Sequence, residues 1–189
     1  MLTPVERQTL KSNLIKYENN IAHMYLDSNG DVTVGVGHLL PAVQDAQKLP
    51  FVDSRNIKAS PEDIRQDFDS VKKQMKAMKA SYYKKYTKLT LGSTEINRLV
   101  EKHIDSFYQE LKILYPEFDK YPGEAKLALF DIIFNVGMTR LRAGFPSLNA
   151  SVKGKDWKKA AAESHRAPPI STDRNKYVKD LFEKATKKP

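Results

Sequence analysis

The first 20 residues place apolar side chains with the period of a helix. Thr3 is a suitable N-cap, and Pro4 fits the first helical turn. The apolar positions of this segment are Val5, Leu10, Leu14 and Ile15. The pattern predicts a helix over residues 3–20, with Glu18 near its C-terminal end.

The next segment has the pattern of a β-hairpin. Residues 22–26 and 32–36 are short runs rich in apolar and strand-forming side chains, and residues 28–31, Ser-Asn-Gly-Asp, form a turn sequence between them. Gly35 and Gly37 flank the exit from the second run. Glycines at such a position indicate that backbone or a ligand approaches closely.

The middle of the chain predicts two longer helices after an irregular, polar segment at residues 39–59 that suits a loop or a short helix. Ser60 is a clear N-cap, and the helix it starts is predicted to run toward Tyr86. Its expected inward side chains are Ile64, Phe68, Val71 and Met75. A second apolar stripe predicts a helix from near Ser93 to just before Pro116.

The last third of the chain is helical throughout its pattern. Residues 125–136 are apolar on nearly every face, which predicts a central buried helix that ends at Gly137. Shorter helices are predicted over residues 145–152, 156–166 and 173–186. Trp157, in the second of these, is expected to anchor the core.

These elements predict a mostly helical α+β fold in one domain of 189 residues. The expected arrangement has two lobes, a small hairpin lobe at about 20–60 and a larger helical lobe at about 95–189 that includes the N-terminal helix. We expect a long helix to join the lobes and a cleft to lie between them. A chain of this length buries roughly 70% of its unfolded surface, so its core needs no metal or disulfide.

Composition narrows the possible chemistry. The chain has no cysteine, which excludes disulfides, thiol catalysis and cysteine–zinc sites. The formal charge of +9 favours polyanions such as nucleic acid, anionic membrane surfaces or acidic wall polymers, and charge alone does not choose among them. No nucleic-acid motif accompanies the lysines. The N-terminus has no secretory signal pattern, and no apolar run approaches the ~20 residues of a membrane span.

Three residues near the predicted hairpin suggest acid/base chemistry. Glu18 and Asp27 would place carboxyl groups on separate rigid elements, and the Thr33 hydroxyl could hold a water near Asp27 across the hairpin. Each residue also has a simpler interpretation. A glutamate at a helix end is typically a solvated charge, an aspartate before a turn typically caps it, and threonine is a common strand residue.

The run from Tyr17 to His38, which ends in Val-Gly-Val-Gly-His, closely resembles the catalytic segment of the phage-type lysozymes, glycoside hydrolase family 24. The resemblance implies a lysozyme-like fold, with Glu18 as general acid and Asp27 with Thr33 holding the attacking water. It implies that His38 packs near Glu18 in a supporting role. Water attack from the face opposite the acid would invert the sugar centre, with the carboxyls roughly 6.5–9.5 Å apart.

Two further blocks extend the resemblance over nearly the whole chain. Residues 130–137, Phe-Asp-Ile-Ile-Phe-Asn-Val-Gly, match a segment that lines the family's cleft. The implied sugar contacts are Leu39, Phe134 and Asn135. Residues 171–175 contain Arg174, which matches a cleft arginine that pairs with the acid, although by itself it would be one of many exposed cations.

The sequence departs from the family pattern at two positions. His103 stands where relatives often carry an aspartate that pairs with the histidine matched by His38. Asn19 follows the matched glutamate, where many relatives have glycine. The first departure leaves the partner of His38 open, and the second alters the local turn without removing a chemical group.

The resemblance implies a muramidase that cleaves the β-1,4 bond between N-acetylmuramic acid and N-acetylglucosamine in peptidoglycan. We expect no metal and no organic cofactor. The expected partner is the glycan strand, with no nucleic acid and no membrane insertion, and we expect a monomer that the positive charge holds on an anionic wall. The alternatives are a noncatalytic wall-binding module and a basic nucleic-acid-binding protein.

The route to the wall stays open at this stage. Without a signal pattern, the protein would be made in the cytoplasm and reach the periplasmic face of the wall by other means. It could be a phage endolysin released through a membrane pore. It could equally be the lysozyme domain of a secreted antibacterial effector that an immunity protein neutralises.

Overall fold

The structure is a computed structural model that describes residues 2–18, 20–168 and 170–187, and for Glu18 it describes the backbone alone. It confirms a mostly helical α+β fold with a small antiparallel β component. The chain forms two compact units. We call Glu18–Glu101 the sheet unit, and Met1–Tyr17 together with Lys102–Pro189 the helical unit.

The described part of the sheet unit contains two small antiparallel sheets, three helices and the first part of a longer helix that begins at Ser93. Its strands are β1 (Ile21–Leu26), β2 (Val32–Gly35), β3 (His38–Leu39), β4 (Phe51–Val52) and β5 (Thr90–Leu91), and its helices are α2 (Val43–Gln47), α3 (Pro61–Lys72) and α4 (Ala80–Tyr83), followed by a 3-10 turn at Lys84–Tyr86. Strands β1, β2 and β3 form one sheet in that order, and β4 pairs with β5. The predicted hairpin is therefore present, with a third strand that the sequence did not predict.

The helix that starts at Ser60 is shorter than predicted. The Ser60 cap is present, since its side chain accepts from the Asp63 amide, but α3 ends at Lys72. The fully buried Tyr83 explains the break because its hydroxyl donates to the Met75 carbonyl at 2.7 Å and so holds a chain reversal. Met75, expected to face inward, is 63% exposed on this reversal.

The helical unit is built from α1 (Pro4–Glu18) and the chain after Glu101. Its later elements are the second part of α5 (Ser93–Leu114), a 3-10 turn at Phe118–Lys120, α6 (Gly123–Gly144), α7 (Pro146–Lys153), α8 (Trp157–Glu163) and α9 (Thr172–Ala185). Gly137 breaks the helical geometry of α6 with φ of +72°, as predicted, but the chain resumes a helix beyond it. Trp157 is buried against Tyr121 and Phe182, with ring centroids 5.0 and 6.4 Å away.

Within the ranges given above, no helix combines the length and the apolarity that a bilayer crossing requires.

Candidate active site

Asp27 lies directly after β1 and organises the hairpin turn. Its Oδ1 accepts hydrogen bonds from the backbone amides of Asn29 and Asp31, both at 2.9 Å. Its own amide donates to the Asp31 carbonyl at 3.0 Å. Asp27 therefore has the turn-capping role that its position suggests. Both side-chain bonds end on Oδ1, so the turn does not use Oδ2, and the side chain is half-buried.

Thr33 is buried in the middle of the three-stranded sheet, with 3% of its surface exposed. Its cross-strand partner in β1 is Tyr25, so it does not lie directly opposite Asp27 as expected. Side chains two residues apart share a face of a strand, which puts Asp27 diagonally across from Thr33 on the same face. The Thr33 hydroxyl donates to the Asp31 carbonyl at 3.1 Å, and its oxygen keeps the capacity to accept.

The turn after β2 returns the chain to Thr33. Gly35 and Gly37 have φ of +68° and +70°, a region that residues with a Cβ adopt at a cost. A Cβ on Gly35 would also lie 3.2 Å from Cγ2 of Ile96. The resulting β3 pairs Leu39 with Thr33. Leu39 is 44% exposed, so the sheet brings a buried hydroxyl beside an accessible apolar side chain.

His38, in β3, pairs with Val34 of β2. It also lies near the carboxylate of Asp45, which the sequence did not indicate as a site residue. Asp45, in α2, has its pKa lowered chiefly by the Lys48 ammonium, which donates to it at 2.8 Å, and the charge of His38 acts in the same direction. Asp45 is thus an acidic neighbour of His38. The sequence feature that could have indicated Asp45 is an acidic residue in the first turn of a short helix.

Glu18 lies at the C-terminal end of the helix, as predicted, and is the last residue of α1, whereas the predicted helix ran to residue 20. Its side chain lies outside the described atoms, and so does the whole of Asn19. The role of Glu18 as general acid, its partners and the distance between its carboxyl and that of Asp27 therefore stay predictions.

Arg174 belongs to the helical unit and is buried, with 4% of its surface exposed, so it is not an ordinary surface cation. Its Nε donates to both carboxylate oxygens of Asp131 at 3.1 Å. Its guanidinium carbon lies 5.2 Å from the ring centre of Tyr17, within cation–π range. The pairing with Glu18 that the resemblance implies stays a prediction because that side chain is not described.

A buried polar cluster surrounds Asp131. Arg166 donates to Asp131 Oδ1 at 2.7 Å, and its Nε donates to Asn175 Oδ1 at 3.2 Å. Asn175 returns a bond to the Arg166 carbonyl at 2.8 Å. The sequence analysis missed Asp131 and Arg166. The sequence feature that could have indicated this cluster is Asp131 itself, a single carboxylate inside the apolar run 125–136, because a buried charge requires partners.

Phe134 and Asn135 follow one turn after Asp131 on the same side of α6. Phe134 packs edge-on against His103 and Phe107, with ring centroids 5.9 and 5.5 Å away. Asn135 is half-buried, and its Oδ1 is shielded from solvent without a hydrogen-bond partner in the described part of the chain. A donor on a bound molecule would satisfy that oxygen.

The predicted residues thus form two groups. Asp27, Thr33 and Leu39 share one face of the three-stranded sheet, His38 lies in the same sheet on the opposite face, and Phe134, Asn135 and Arg174 lie on helices of the helical unit. In comparisons with known proteins, no family model matches the chain, and a search of curated proteins also finds no match.

Proposed function

We propose that the protein is a muramidase that hydrolyses the β-1,4 bond between N-acetylmuramic acid and N-acetylglucosamine in peptidoglycan. The observation that carries the proposal is the shared face of Asp27 and Thr33, on a sheet that begins shortly after a helix ends at Glu18. A carboxylate and a hydroxyl fixed by backbone hydrogen bonds are suited to hold one water molecule. The sequence resemblance of residues 17–38 to the phage-type lysozymes supports the same chemistry.

In the proposed reaction, Glu18 donates its proton to the leaving glycosidic oxygen. Water attacks the sugar carbon from the opposite face, and Asp27 Oδ2 takes its proton while the Thr33 oxygen accepts a hydrogen bond from it. The carbon–oxygen bond to the leaving sugar breaks as the bond to water forms, so the centre inverts. Solvent then restores the proton on Glu18 and removes the one on Asp27. The reaction uses no metal or organic cofactor.

The remaining residues have proposed roles in binding and support. Leu39 would contact a sugar ring beside Thr33, since it is exposed there. Asn135 Oδ1 would accept from the N–H of an acetamido group, which fits an oxygen that has no hydrogen-bond partner among the described residues. Phe134 would pack on the same sugar. We assign His38 and Arg174 to supporting roles, in which Arg174 pairs with Glu18 and Asp131 holds the arginine.

Delivery is part of the same proposal. The substrate is the glycan strand of a bacterial wall, so the protein would act in the periplasm as a phage endolysin or as a secreted effector. An immunity protein would be a partner in the second case. We further propose that it acts as a monomer without nucleic acid.

A turbidity assay on purified peptidoglycan tests the proposal, with mass spectrometry of the released fragments to identify the cleaved bond. Glu18→Gln is expected to abolish hydrolysis because an amide cannot donate the required proton. Glu62→Gln, on the exposed first turn of α3, is the matched control and should stay active. Wild-type protein that binds the wall without releasing fragments would indicate a noncatalytic module. Salt-dependent retention of DNA without hydrolysis would indicate a nucleic-acid-binding protein.

A further inference from the structure

The chain between Asp69 and Glu95 carries no acidic residue and seven lysines. These lysines, at 72, 73, 76, 79, 84, 85 and 88, are all exposed. Lys72 approaches Asp31 at 3.5 Å, and within the described residues none of the other six forms an ion pair. The charge of this segment is therefore largely uncompensated, in contrast to the paired charges of many other surface residues.

Two methionines are exposed within the same segment. Met75 and Met78 are 63% and 40% exposed, on the chain reversal between α3 and α4. The Tyr83 hydroxyl donates to the Met75 carbonyl at 2.7 Å and accepts from the Met78 amide at 3.4 Å. This buried hydroxyl fixes the backbone from inside, so both side chains are held toward solvent. Ala77 between them has φ of +61°, a left-handed conformation that is unusual for alanine.

Three of these lysines are held against neighbouring parts of the sheet unit. Lys72 Nζ donates to the Gly30 carbonyl at 2.8 Å, and a Cβ on Gly30 would lie 3.4 Å from Cδ of Lys76, so both lysines lie over the same hairpin turn. Lys85 Nζ lies 5.0 Å from the ring centres of both Tyr82 and Tyr86. We call residues 72–88 the lysine–methionine surface.

We propose that the lysine–methionine surface binds peripherally to membranes that contain anionic lipid. The lysines supply the attraction to lipid phosphates, and Met75 and Met78 enter the interface between headgroups and acyl chains. A soluble anionic polymer would satisfy the lysines but offers no apolar phase for the methionines. The proposal goes beyond the proposed hydrolysis and does not depend on it, because the site residues of the sheet lie outside residues 72–88.

Sedimentation of the full chain with lipid vesicles tests this surface. Vesicles of phosphatidylcholine with phosphatidylglycerol are compared with phosphatidylcholine alone, and heparin serves as the soluble polyanion. The charge variant replaces Lys73, Lys76 and Lys79 with Gln. Its matched control makes the same change to Gln at Lys153, Lys158 and Lys159, which are exposed and lie in the helical unit. A second variant, Met75→Ser with Met78→Ser, removes the apolar contribution and keeps the charge.

Of the two vesicle types, we expect binding only to the anionic one, and we also expect binding to heparin through the lysines. The charge variant should weaken it about a hundredfold, since each lysine near such a surface contributes roughly fivefold, while the control should weaken it less than about threefold. The methionine variant should weaken vesicle binding on the order of tenfold and leave heparin binding unchanged. Equal losses in the charge variant and the control would overturn the proposal in favour of diffuse net charge. Vesicle binding that does not depend on the methionines would overturn it in favour of a soluble polyanion.

Discussion

Asp27 combines a structural and a proposed chemical role in one side chain, and two substitutions separate them. Asp27→Asn keeps an oxygen that accepts from the Asn29 and Asp31 amides, but it removes the negative charge. We expect normal stability and at least about a tenfold loss of wall hydrolysis, equal to roughly 1.4 kcal/mol of barrier. Asp27→Ala should lose activity and stability together. Near-normal hydrolysis by Asp27→Asn, measured by turbidity, would reduce Asp27 to a turn residue.

Thr33 tests whether a hydroxyl is needed beside that carboxylate. Thr33→Val keeps the buried volume but removes the hydroxyl that donates to the Asp31 carbonyl. We expect a stability loss of about 1 kcal/mol for the missing hydrogen bond, together with at least about a tenfold loss of activity. Thr33→Ser retains the hydroxyl and should recover most of the hydrolysis. An active valine variant would show that Thr33 only forms the strand.

At the scale of elements, two glycines with similar positive φ differ in their surroundings. Gly35 and Gly137 have φ of +68° and +72°. A Cβ on Gly35 would lie 3.2 Å from Ile96, whereas a Cβ on Gly137 would have no atom of the described residues within 4 Å, apart from its chain neighbours and the backbone of its own helix. Gly137→Ala should therefore cost about 1–3 kcal/mol of unfolding free energy from backbone strain alone, because a ψ of +164° with positive φ is essentially restricted to glycine. Gly35→Ala should lose about 1–3 kcal/mol from crowding against Ile96 in addition to the strain of its own positive φ, as measured by urea denaturation. A Gly35→Ala loss of less than about 1 kcal/mol would exclude Ile96 as a constraint on the turn.

The elements that the sequence predicted correctly are those with local signals. The Ser60 cap, the apolar stripe after Ser93 and the break at Gly137 each depend on neighbouring residues, and each is present. The end of α3 at Lys72 depends instead on Tyr83, whose hydroxyl donates a hydrogen bond to the Met75 carbonyl 8 residues earlier in the chain. Strand β3 has two residues, too few for a periodic pattern, and exists because two left-handed glycines return the chain to β2.

The candidate site shows the same division. Asp27 and Thr33 were recognisable because their segment is contiguous and contains its own turn. Asp45 and Asp131 were not, because their importance comes from partners distant in the sequence. Asp131 bonds to Arg174, 43 residues away, and the helical pattern around it indicates only burial.

At the scale of the whole helical unit, Asp131 is the carboxylate on which two buried arginines converge. Asp131→Ala would remove the carboxylate with which the buried Arg166 and Arg174 form ion pairs. We therefore expect a loss of about 3–5 kcal/mol of unfolding free energy. Asp105→Ala removes an exposed partner of Arg7 and should cost less than about 1 kcal/mol. Chemical denaturation of both variants checks the contrast. A small loss at Asp131 would mean that water compensates the arginines.

The helical unit is discontinuous in the chain, which sets an order of events during synthesis. Helix α1 leaves the ribosome before the rest of its unit, but Asn13 bonds to Tyr177, 164 residues later. At translation rates of roughly 5–20 residues per second, α1 waits on the order of ten to thirty seconds for that partner. The sheet unit, Glu18–Glu101, is contiguous and can collapse in the meantime. The nascent chain therefore carries α1 without its packing partners while the sheet unit folds, and a chaperone can bind the α1 segment during that interval.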